Sequence, residues 1–290
     1  MDQSVVGSGV PLTDAQWARI EPLLPDRAPK RGGRWRDHRQ VIDAIAFNYR
    51  TGTPWTDLPE HFGSWKGAHN RLRKWAADGA WERVFTALLA QADAEGDLDR
   101  VVSVDSTIVR AHPHAVGARQ KGGPADEPDD HALGRSRGGL TTKIHLAADS
   151  RCRPLAFVLT PGQAGDAPML PKVMVQLRLP RPIGRPRTTP DVVLADKTYP
   201  SRVIRTRLRQ RGIRTVIPQP SGQAANRKRR GRLGGRPPAF DREAYKQRNT
   251  VERCINKLKQ WRGLATRYDK TAAIYLAGPH IAAIFIWSAR

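Results

Sequence analysis

Apolar residues recur at helical spacing through the first third of the chain. The stretch LTDAQWARIEPLL, residues 12–24, begins near the capping residue Thr13 and then places apolar side chains three or four positions apart. Such a pattern is typical of a helix that buries one face. The stretch DHRQVIDAIAFNYRTG, residues 37–52, repeats it and ends at a glycine, where helices commonly stop. The pattern predicts an all-helical N-terminal domain over residues 1–95.

The stretch WTDLPEHFGSWKGAHNRLRKWAADGAW, residues 55–81, predicts a short helix, a turn at Phe62-Gly63-Ser64 and a second helix. This is the outline of a helix-turn-helix, whose second helix could enter the major groove of DNA. That helix carries four cations and no acid before Asp78, so they are candidate DNA contacts. They are Lys66, Arg71, Arg73 and Lys74. A plain helical bundle with a basic face explains the pattern equally well.

Beyond an acidic hinge at residues 94–100, AEGDLDR, the pattern changes to strands and predicts a second domain over residues 96–290. Short β-branched runs and alternating runs mark the strands, and helical runs separate the later ones. The predicted strands lie at residues 101–109, 140–149, 153–162, 191–199 and 214–219. Three consecutive strands followed by alternating helices and strands predict an α/β fold, with a mixed sheet flanked by helices.

Three segments fall outside this pattern. Residues 111–138 combine glycines, prolines and the acidic run DEPDD, which predicts a mobile loop. Residues 225–237, ANRKRRGRLGGRP, predict a basic, glycine-rich loop. The C-terminal run TAAIYLAGPHIAAIFIWSA is apolar but interrupted by Gly278-Pro279-His280. It predicts a buried helix after a turn and no membrane span.

Charge adds a class of partner to this picture. The chain has 290 residues with 50 basic and 27 acidic side chains, a net charge of +23. Residues 1–95 carry 13 basic and 12 acidic side chains, whereas residues 96–290 carry 37 and 15. Such a surplus favours a polyanion, most often nucleic acid, bound mainly by the C-terminal part. Two cysteines and an N-terminus without a signal-peptide pattern predict a protein of a reducing, cytoplasmic compartment.

The stretch YKQRNTVERCINKLKQW, residues 245–261, places one acid among several cations. If it forms a single helix, four chemically distinct side chains fall on one narrow stripe, and an apolar stripe lies a quarter-turn away. The polar stripe consists of Tyr245, Arg248, Glu252 and Lys259. The helix could therefore pack by one flank and present this stripe to a groove. A surface helix of mixed charge explains the segment as well.

Asp105 lies within the first predicted strand, Asp196 ends the fourth, and Glu252 lies on the last polar helix. Carboxylates beside DNA would repel it unless a divalent cation reverses the local charge. Mg²⁺ prefers oxygen ligands, and two ions about 3.5–4 Å apart can serve phosphoryl transfer. If the first and fourth strands are neighbours, the three carboxylates could converge. Asp105 would then bridge two ions, while Asp196 and Glu252 would each complete one site.

Other residues suggest rival sites. Asp166 is either a fourth acid near the cluster or a helix N-cap. His112, His114 and His131, with Asp129 and Asp130, could bind zinc, but their spacing matches no zinc pattern, so a loop in solvent is favoured. The run GRSRGG, residues 134–139, lacks the lysine of a phosphate-binding loop, so no ATP site is expected.

With these residues in view, the chain resembles bacterial insertion-sequence transposases with a DDE active site. It is similar to the group whose third acid lies in a Tyr-x2-Arg-x3-Glu-x6-Lys signature, which Tyr245, Arg248, Glu252 and Lys259 fit without a gap. The resemblance extends from about Leu12 to Trp287. Further matching blocks are LTDAQWARIEPLLP, WTDLPEHFGSWKGAHNRLRKW, VDSTIVRAH, GGLTTKIHLA, LAFVLTPGQAGD and LADKTY.

The resemblance implies an RNase H-like catalytic fold and two Mg²⁺ or Mn²⁺ ions held by Asp105, Asp196 and Glu252. It implies cleavage at the ends of the element and attack of the freed 3′-OH on target DNA. Arg248 and Lys259 would bind phosphates near the scissile bond, and Tyr245 would position or stack on the end nucleotides. The basic run would add the contacts Arg227, Lys228, Arg229 and Arg230.

The resemblance also implies partners and a place in the cell. The N-terminal domain would read the terminal inverted repeats of double-stranded DNA, in a homodimer or larger synaptic complex associated with the bacterial nucleoid. After the second Asp such transposases usually have Gly, Tyr and then an acid, whereas this sequence has Thr198, Tyr199 and Pro200. This departure leaves one alternative, a catalytically impaired or domesticated DNA-binding repressor, and a nuclease of the same fold is a further alternative.

Overall fold

The computed structural model describes residues 11–27, 35–116, 127–181 and 183–289. The expectation about a signal peptide rests on residues 1–10, and part of the predicted mobile loop is residues 117–126. Both segments lie outside the described residues. Among the helices of the described part, none combines the length and the apolar character that crossing a bilayer requires.

The N-terminal part is helical, as predicted. It contains α1 (Asp14–Ile20), α2 (His38–Thr51), α3 (Trp65–Ala77) and α4 (Ala80–Ala94). Thr13 caps α1 by accepting a hydrogen bond from the backbone of Gln16, whose side chain accepts one from the backbone of Thr13 in return. This reciprocal pair satisfies two backbone donors that a helix start leaves free. Gly52 ends α2 in the left-handed conformation with a φ of 69°.

The predicted short helix, turn and second helix are observed, with two single turns of 3₁₀ helix, Trp55–Asp57 and Glu60–Phe62, in place of the short helix. Residues Glu60–Phe62 form only one turn of 3₁₀ helix before Gly63, whose φ is 71°. Pro59 is the residue directly before that turn, and α3 begins directly after Ser64. The element that packs against α3 from the N-terminal side is therefore the longer α2.

The second part contains the mixed sheet. Its long antiparallel strands are β1 (Val101–Ala111), β3 (Gly139–Ala148) and β4 (Pro154–Pro161). Before β3 lie α5 (Pro113–Val116) and the short β2 (Gly134–Ser136), and after β4 lies α6 (Leu170–Gln176). β5 (Val192–Ala195), α7 (Arg202–Gln210) and β6 (Arg214–Val216) complete the alternating section.

The strand order places β4 beside β3, β3 beside β1, β1 beside β5 and β5 beside β6. The first three long strands are antiparallel, whereas β5 and β6 run parallel to β1. Counted along the chain, the five principal strands lie in the order 3-2-1-4-5. This arrangement, with helices α6 and α7 between the later strands, confirms the mixed sheet flanked by helices and the RNase H-like fold.

The C-terminal part corrects three predictions about helices. Residues 225–229 of the basic run lie on a helix, α8 (Ser221–Arg229), and Gly231–Gly234 form a short 3₁₀ helix, where a loop was predicted. The polar segment forms two helices, α9 (Arg242–Lys246) and α10 (Asn249–Lys259), where one was predicted. After α11 (Arg262–Ala265) and β7 (Thr266–Arg267), α12 (Ala272–Ser288) runs unbroken through Pro279.

Helix α12 joins the two predicted domains into one hydrophobic core. It packs against α1, α3 and α4 on one side and against β4 on the other. The Phe85 ring of α4 lies 5.9 Å from that of Phe157 in β4, and His280 of α12 contacts both rings. The acidic hinge is also fixed, because Asp97 forms ion pairs with Arg151 and Arg153. The chain segment at residues 94–100 therefore separates the two parts in sequence but not in packing.

The buried His280 predicts a stability that falls in acid. It is 6% exposed, and burial lowers its pKa from the ordinary value of about 6.5 to about 4. Between pH 6.5 and pH 4 the unfolded chain binds a proton at His280 that the folded chain does not. The free energy of unfolding is therefore highest above pH 6.5 and decreases as the pH falls toward 4. The loss is about 3 kcal/mol at 1.4 kcal/mol per pKa unit.

Urea unfolding at pH 7.0 and pH 4.5 measures this loss. His280→Met should reduce the pH dependence of the free energy of unfolding, whereas His61→Met, at an exposed position, should leave it as in the parent. An equal pH dependence in the parent and in His280→Met would contradict the assignment.

Candidate active site

Two of the three candidate carboxylates lie side by side because of strand pairing. Val104 of β1 pairs with Ala195 of β5 in a parallel register, so the residues that follow them, Asp105 and Asp196, stand at the same level. Neighbouring strands lie about 4.8 Å apart. Asp105 is half-buried, and the charge of Asp196 acts on it directly. The fold thus brings together two acids that are 91 residues apart in sequence.

Glu252 approaches the same place through Arg248. The Nη1 atom of Arg248 donates to Oδ2 of Asp105 at 2.9 Å, and its Nη2 atom donates to Oε1 of Glu252. The helix breaks at Gln247 and Arg248, and hydrogen bonds three residues apart link α9 to α10 across the break. Arg248 therefore stands at the start of α10 and joins an acid of the sheet to an acid of the helix.

Burial outweighs the ion pair at Asp105. Desolvation raises the pKa of Asp105 above its usual range, and the neighbouring charge of Asp196 raises it further, although Arg248 and the backbone amide of Ser106 act in the opposite direction. The pKa of Arg248 is raised, because the attraction of Asp105 and Glu252 exceeds its own desolvation. The negative charge at Asp105 is therefore only partly compensated by the protein's own groups.

Asp166 lies next to this cluster and does not cap a helix. Its side chain makes no capping hydrogen bond. Instead, its Oδ1 atom accepts hydrogen bonds from Ser106 Oγ at 2.7 Å and from Lys143 Nζ at 3.0 Å. The charge of Asp166 acts on the buried Tyr199 together with the charges of Asp105 and Asp196, so of the two sequence alternatives the structure favours an acid beside the site. Sequence analysis missed Lys143, whose position depends on the pairing of β1 with β3.

His145 and Tyr199 complete the buried surroundings. His145 Nδ1 lies 3.8 Å from Asp166 Oδ1, but burial lowers the pKa of His145 to about 4, so the ring is neutral near pH 7 and forms no ion pair. The hydroxyl of Tyr199 is buried and has no hydrogen-bond partner among the described residues. Burial, together with the charges of Asp166, Asp105 and Asp196, raises the pKa of Tyr199 above its usual range.

Thr198 fits its turn without strain. Its backbone N–H donates to Oδ1 of Asp196 at 2.8 Å, and its hydroxyl donates to the same oxygen. The described residues other than glycine that have a positive φ are His131, Ala132 and Cys152, so Thr198 does not occupy a conformation that requires glycine. Thr198, which stands where the family usually has glycine, therefore orients Asp196 through two hydrogen bonds, and its backbone is not distorted.

The remaining residues of the signature flank this centre. Tyr245 lies on α9 with its ring 6.0 Å from the Arg248 guanidinium and 5.2 Å from the Phe240 ring. Lys259, at the end of α10, is half-buried, and its Nζ atom lies 3.5 Å from the carbonyl oxygen of Ile108 in β1. Arg248 and Lys259 of the predicted stripe thus contact β1, whereas Tyr245 and Glu252 lie beside Arg248.

Among the predicted contacts on α3, one requires correction. Arg71 is 8% exposed, its guanidinium lies 4.1 Å from the Trp35 ring, and its Nη1 atom is 2.7 Å from His38 Nδ1. These contacts fill the space between α2 and α3, so Arg71 is a packing residue and is not exposed to DNA. Lys66, Arg73 and Lys74 are exposed on the same helix.

The basic run also differs from the prediction in its structure. Arg227 is half-buried on α8, whereas Lys228, Arg229 and Arg230 are exposed at the end of that helix. A helix fixes the spacing of these charges along one surface, which a flexible loop would not do.

The zinc alternative finds no support in the described part of the chain. Nowhere in the described ranges do three His, Cys, Asp or Glu side chains already form a group that could hold a metal ion. His131 is buried and accepts or donates a 2.6 Å hydrogen bond with Glu127, so it is not in a solvent loop as predicted. Asp105, Asp196 and Glu252 are not such a preformed group either, and the Glu252 carboxylate accepts a hydrogen bond from Arg248.

Arg248 is expected to control the ionisation of Asp105. Replacing Arg248 by methionine should raise the pKa of Asp105 further, because the cation that stabilises its charged form is removed. Carbon-13 NMR of protein labelled at aspartate carboxyls, in metal-free buffer, measures this shift, and Asp105→Asn assigns the resonance. Arg253→Met is the matched control, since Arg253 is an exposed residue of the same helix. A pKa that stays constant or falls in Arg248→Met would contradict the ion pair.

Comparison with known proteins places the chain among transposases. Residues 12–85 match a family model described as "Putative transposase of IS4/5 family", and residues 96–278 match one described as "Transposase DDE domain". The "Putative transposase for insertion sequence element IS402" of Burkholderia cepacia is 31% identical over 172 residues, which cover 59% of this chain and 72% of that protein.

Two further similarities were found. The "Uncharacterized protein y4sN" of Sinorhizobium fredii is 37% identical over 113 residues, covering 39% of this chain and 86% of that protein. Among solved structures, the "Mos1 transposase paired-end complex with left transposon end" is 13% identical with a TM-score of 0.24, covering 81% of this chain and 83% of that one. Since the DDE-domain match spans more than half of the sequence, the chain belongs to the family of insertion-sequence transposases with a DDE domain.

Proposed function

We propose that this protein cuts DNA at the ends of an insertion sequence and joins the freed 3′-OH ends to target DNA, with Asp105, Asp196 and Glu252 as its catalytic acids. The observation that carries the proposal is the cluster itself. The pairing of β1 with β5 sets Asp105 beside Asp196, and Arg248 links Asp105 to Glu252. The site lies in a chain of net charge +23, suited to hold a polyanion.

The residues present fit a hard divalent cation such as Mg²⁺ or Mn²⁺. Asp105, Asp196 and Glu252 offer carboxylate oxygens, which such cations prefer. The buried hydroxyl of Tyr199 lies among the same acids without a hydrogen-bond partner in the described part of the chain, so it can meet a water or phosphate oxygen there. When bound, one or two such ions would activate the attacking oxygen and stabilise the leaving oxygen of phosphoryl transfer.

The chain's own cations would position the DNA. Arg248 holds two acids together in this structure, so contact with a phosphate near the scissile bond requires that it share or exchange these partners. Lys259, whose Nζ atom lies beside β1, would bind a phosphate further along the same DNA strand. Tyr245 has a half-buried ring on which an end nucleotide could stack. These assignments follow the Tyr-x2-Arg-x3-Glu-x6-Lys signature.

The helical part would recognise the element. Residues 1–95 form the proposed DNA-binding domain for the terminal inverted repeats, with Lys66, Arg73 and Lys74 on the exposed face of α3. Residues 96–290 form the proposed catalytic domain. The exposed cations at the end of α8 would add contacts to the phosphate backbone, which carry affinity without sequence preference. Because two ends must be joined, the active form is a homodimer or a larger synaptic complex.

The repressor alternative has no observation in its favour. It was based on Thr198-Tyr199-Pro200, where the Thr198 backbone is unstrained and its hydrogen bonds orient Asp196.

A cleavage assay tests the proposed function. The protein is incubated with duplexes that carry the terminal repeats flanking its gene, with Mg²⁺ or with a chelator. The proposal predicts strands that end in 3′-OH at the repeat boundary and, with a plasmid present, joined products. Cleavage without joining would support a nuclease, and tight binding with no cleavage in any divalent metal would support a repressor.

A further inference from the structure

The face of β1 opposite Asp105 carries a separate set of exposed residues. Side chains alternate between the two faces of a strand, so Asp105 lies on one face whereas Ser106, Ile108 and Arg110 lie on the other. Ile108 is 48% exposed, and Arg110 is exposed as well. An open surface therefore begins beside Ser106, next to the carboxylate cluster, and continues along the strand to Arg110.

The hairpin between β2 and β3 forms the far wall of this surface. Ser136 pairs with Gly139, so Arg137 and Gly138 form its two-residue tip. Gly139 has a φ of 97°, and Ser136 Oγ lies 3.3 Å from both the amide of Gly138 and the carbonyl oxygen of Gly139. The run GRSRGG, which has no nucleotide-binding pattern, thus builds a tight turn that presents Arg135 and Arg137.

The hairpin is fixed against the loop that follows β4. A Cβ atom on Gly134 would lie 1.9 Å from Oε1 of Gln163, so a larger residue here would displace the Gln163 side chain. Together the strand, the hairpin and the loop enclose an open groove of about 640 Å³. It is lined by Ile108, Arg110, Arg135, Arg137, Thr141 and Gln163.

The three arginines of the groove are available to a ligand. Arg110, Arg135 and Arg137 are exposed, and none forms an ion pair with a carboxylate of the described residues. Other arginines of this part of the fold, such as Arg153 and Arg187, do form such pairs. A concave surface with three uncompensated guanidinium groups matches the charge and the oxygen acceptors of several phosphates.

The groove lies at a defined distance from the carboxylates. Arg110 is five residues beyond Asp105, which is about 17 Å along a strand at 3.4 Å per residue. A DNA strand advances about 3.4 Å per nucleotide, so the same span corresponds to about five nucleotides. Lys259 contacts Ile108 between the two points. The carboxylates and the groove lie on opposite faces of β1, but β5 pairs with β1 only as far as Val104, so a backbone held at the carboxylates can cross the edge of β1 beyond that residue to reach the groove.

We propose that this groove, defined by Arg110, Arg135 and Arg137, binds the sugar–phosphate backbone of target DNA beside the point of strand transfer. The inference rests on the proposed function. Guanidinium contacts to phosphate fix the position of DNA without reading its sequence, which suits a target of variable sequence. The helix proposed to read the element ends, α3, contributes no residue to the groove.

A triple variant, Arg110→Gln, Arg135→Gln and Arg137→Gln, tests the inference in the full-length protein. Two reactions are compared: cleavage of uncut element ends, and joining of pre-cut ends to a plasmid. Joining should fall about 100-fold, since three phosphate contacts are lost, while cleavage changes less than about threefold. In metal-free buffer, the slope of log K against log salt for a random duplex should decrease by about 3, at about 0.9 per phosphate.

The matched control is Arg178→Gln, Arg181→Gln and Arg185→Gln. These arginines are also exposed, but they precede β5 and so lie at the end of the sheet opposite Asp196. The control removes the same charge and should leave the ratio of joining to cleavage unchanged. The single variant Arg137→Glu, at the hairpin tip, gives the same loss of joining if the triple variant folds poorly by circular dichroism.

Three outcomes would overturn the inference. Equal losses of cleavage and joining would show that the groove holds the element end. Equal effects in the control would show that only net charge matters, and an unchanged salt slope would show that no phosphate binds there. A parent protein that binds DNA with the expected salt slope but neither cuts nor joins would contradict the proposed function and not the groove.

Discussion

Replacing Asp105 by asparagine is expected to lower the rate of DNA cleavage by about 10³-fold or more, equivalent to about 4 kcal/mol of transition-state stabilisation. Asp105 is the half-buried member of the cluster, in contact with Arg248 and acted on by the charge of Asp196. An amide keeps its size but offers one neutral oxygen in place of a carboxylate. Asp196→Asn and Glu252→Gln should give losses of similar order, since the proposal has all three acids serve one centre.

Single-turnover cleavage of an end duplex measures this effect. The matched control is Asp191→Asn, because Asp191 stands just before β5 where Asp196 stands just after it, and it pairs at the surface with Arg100. Its loss should change the rate less than about threefold, as expected for an exposed ion pair. Full activity in all three cluster variants would refute the proposed site.

The largest expected effect on stability comes from Arg267→Leu. Arg267, in β7, is fully buried, and its Nε and Nη2 atoms donate to the carbonyl oxygens of Asp269 and Lys270 at 2.9 and 3.0 Å. Its Nη1 atom donates to Thr142 Oγ1 at 2.5 Å. Leucine would leave these three acceptors without this donor, and because an unsatisfied buried group costs about 1–3 kcal/mol, the free energy of unfolding should fall by about 3 kcal/mol or more.

Urea unfolding followed by circular dichroism measures this loss as a lower midpoint. Arg209→Leu is the matched control, because Arg209 is exposed on α7 and its replacement should change stability by less than about 0.5 kcal/mol. Equal midpoints for the parent and Arg267→Leu would show that the network contributes little.

The strands that form the site could be predicted from the sequence because their signals are local. β-branched runs and sharp turns predicted β1, β3, β4 and β5, whereas the adjacency of β1 and β5 was only a condition of the sequence argument, because strand order is not a local property. Asp105 and Asp196 followed, since each has a fixed place on its strand. The position of Glu252 relative to them depends on Arg248, a contact across 143 residues that no local pattern shows.

The errors arose where tertiary packing overrides local preference. Pro279 ordinarily interrupts a helix, but α12 is held by contacts on both sides, and a Cβ on Gly278 would lie 2.6 Å from Leu264 and 2.8 Å from Tyr49. The Gly-Pro pair therefore serves close packing and not a turn. Arg71 was predicted to contact DNA because the sequence shows its charge but does not show that it is buried against Trp35 and His38.

The central claim is that Asp105, Asp196 and Glu252 serve one divalent-cation site. Anomalous diffraction from crystals of the protein soaked with Mn²⁺ tests it most directly. The account predicts Mn²⁺ bound by Asp105 and Asp196, with the Glu252 carboxylate turned from Arg248 toward the ion, and no Mn²⁺ there in Asp105→Asn. Mn²⁺ bound only elsewhere, or an unchanged signal in Asp105→Asn, would contradict the account.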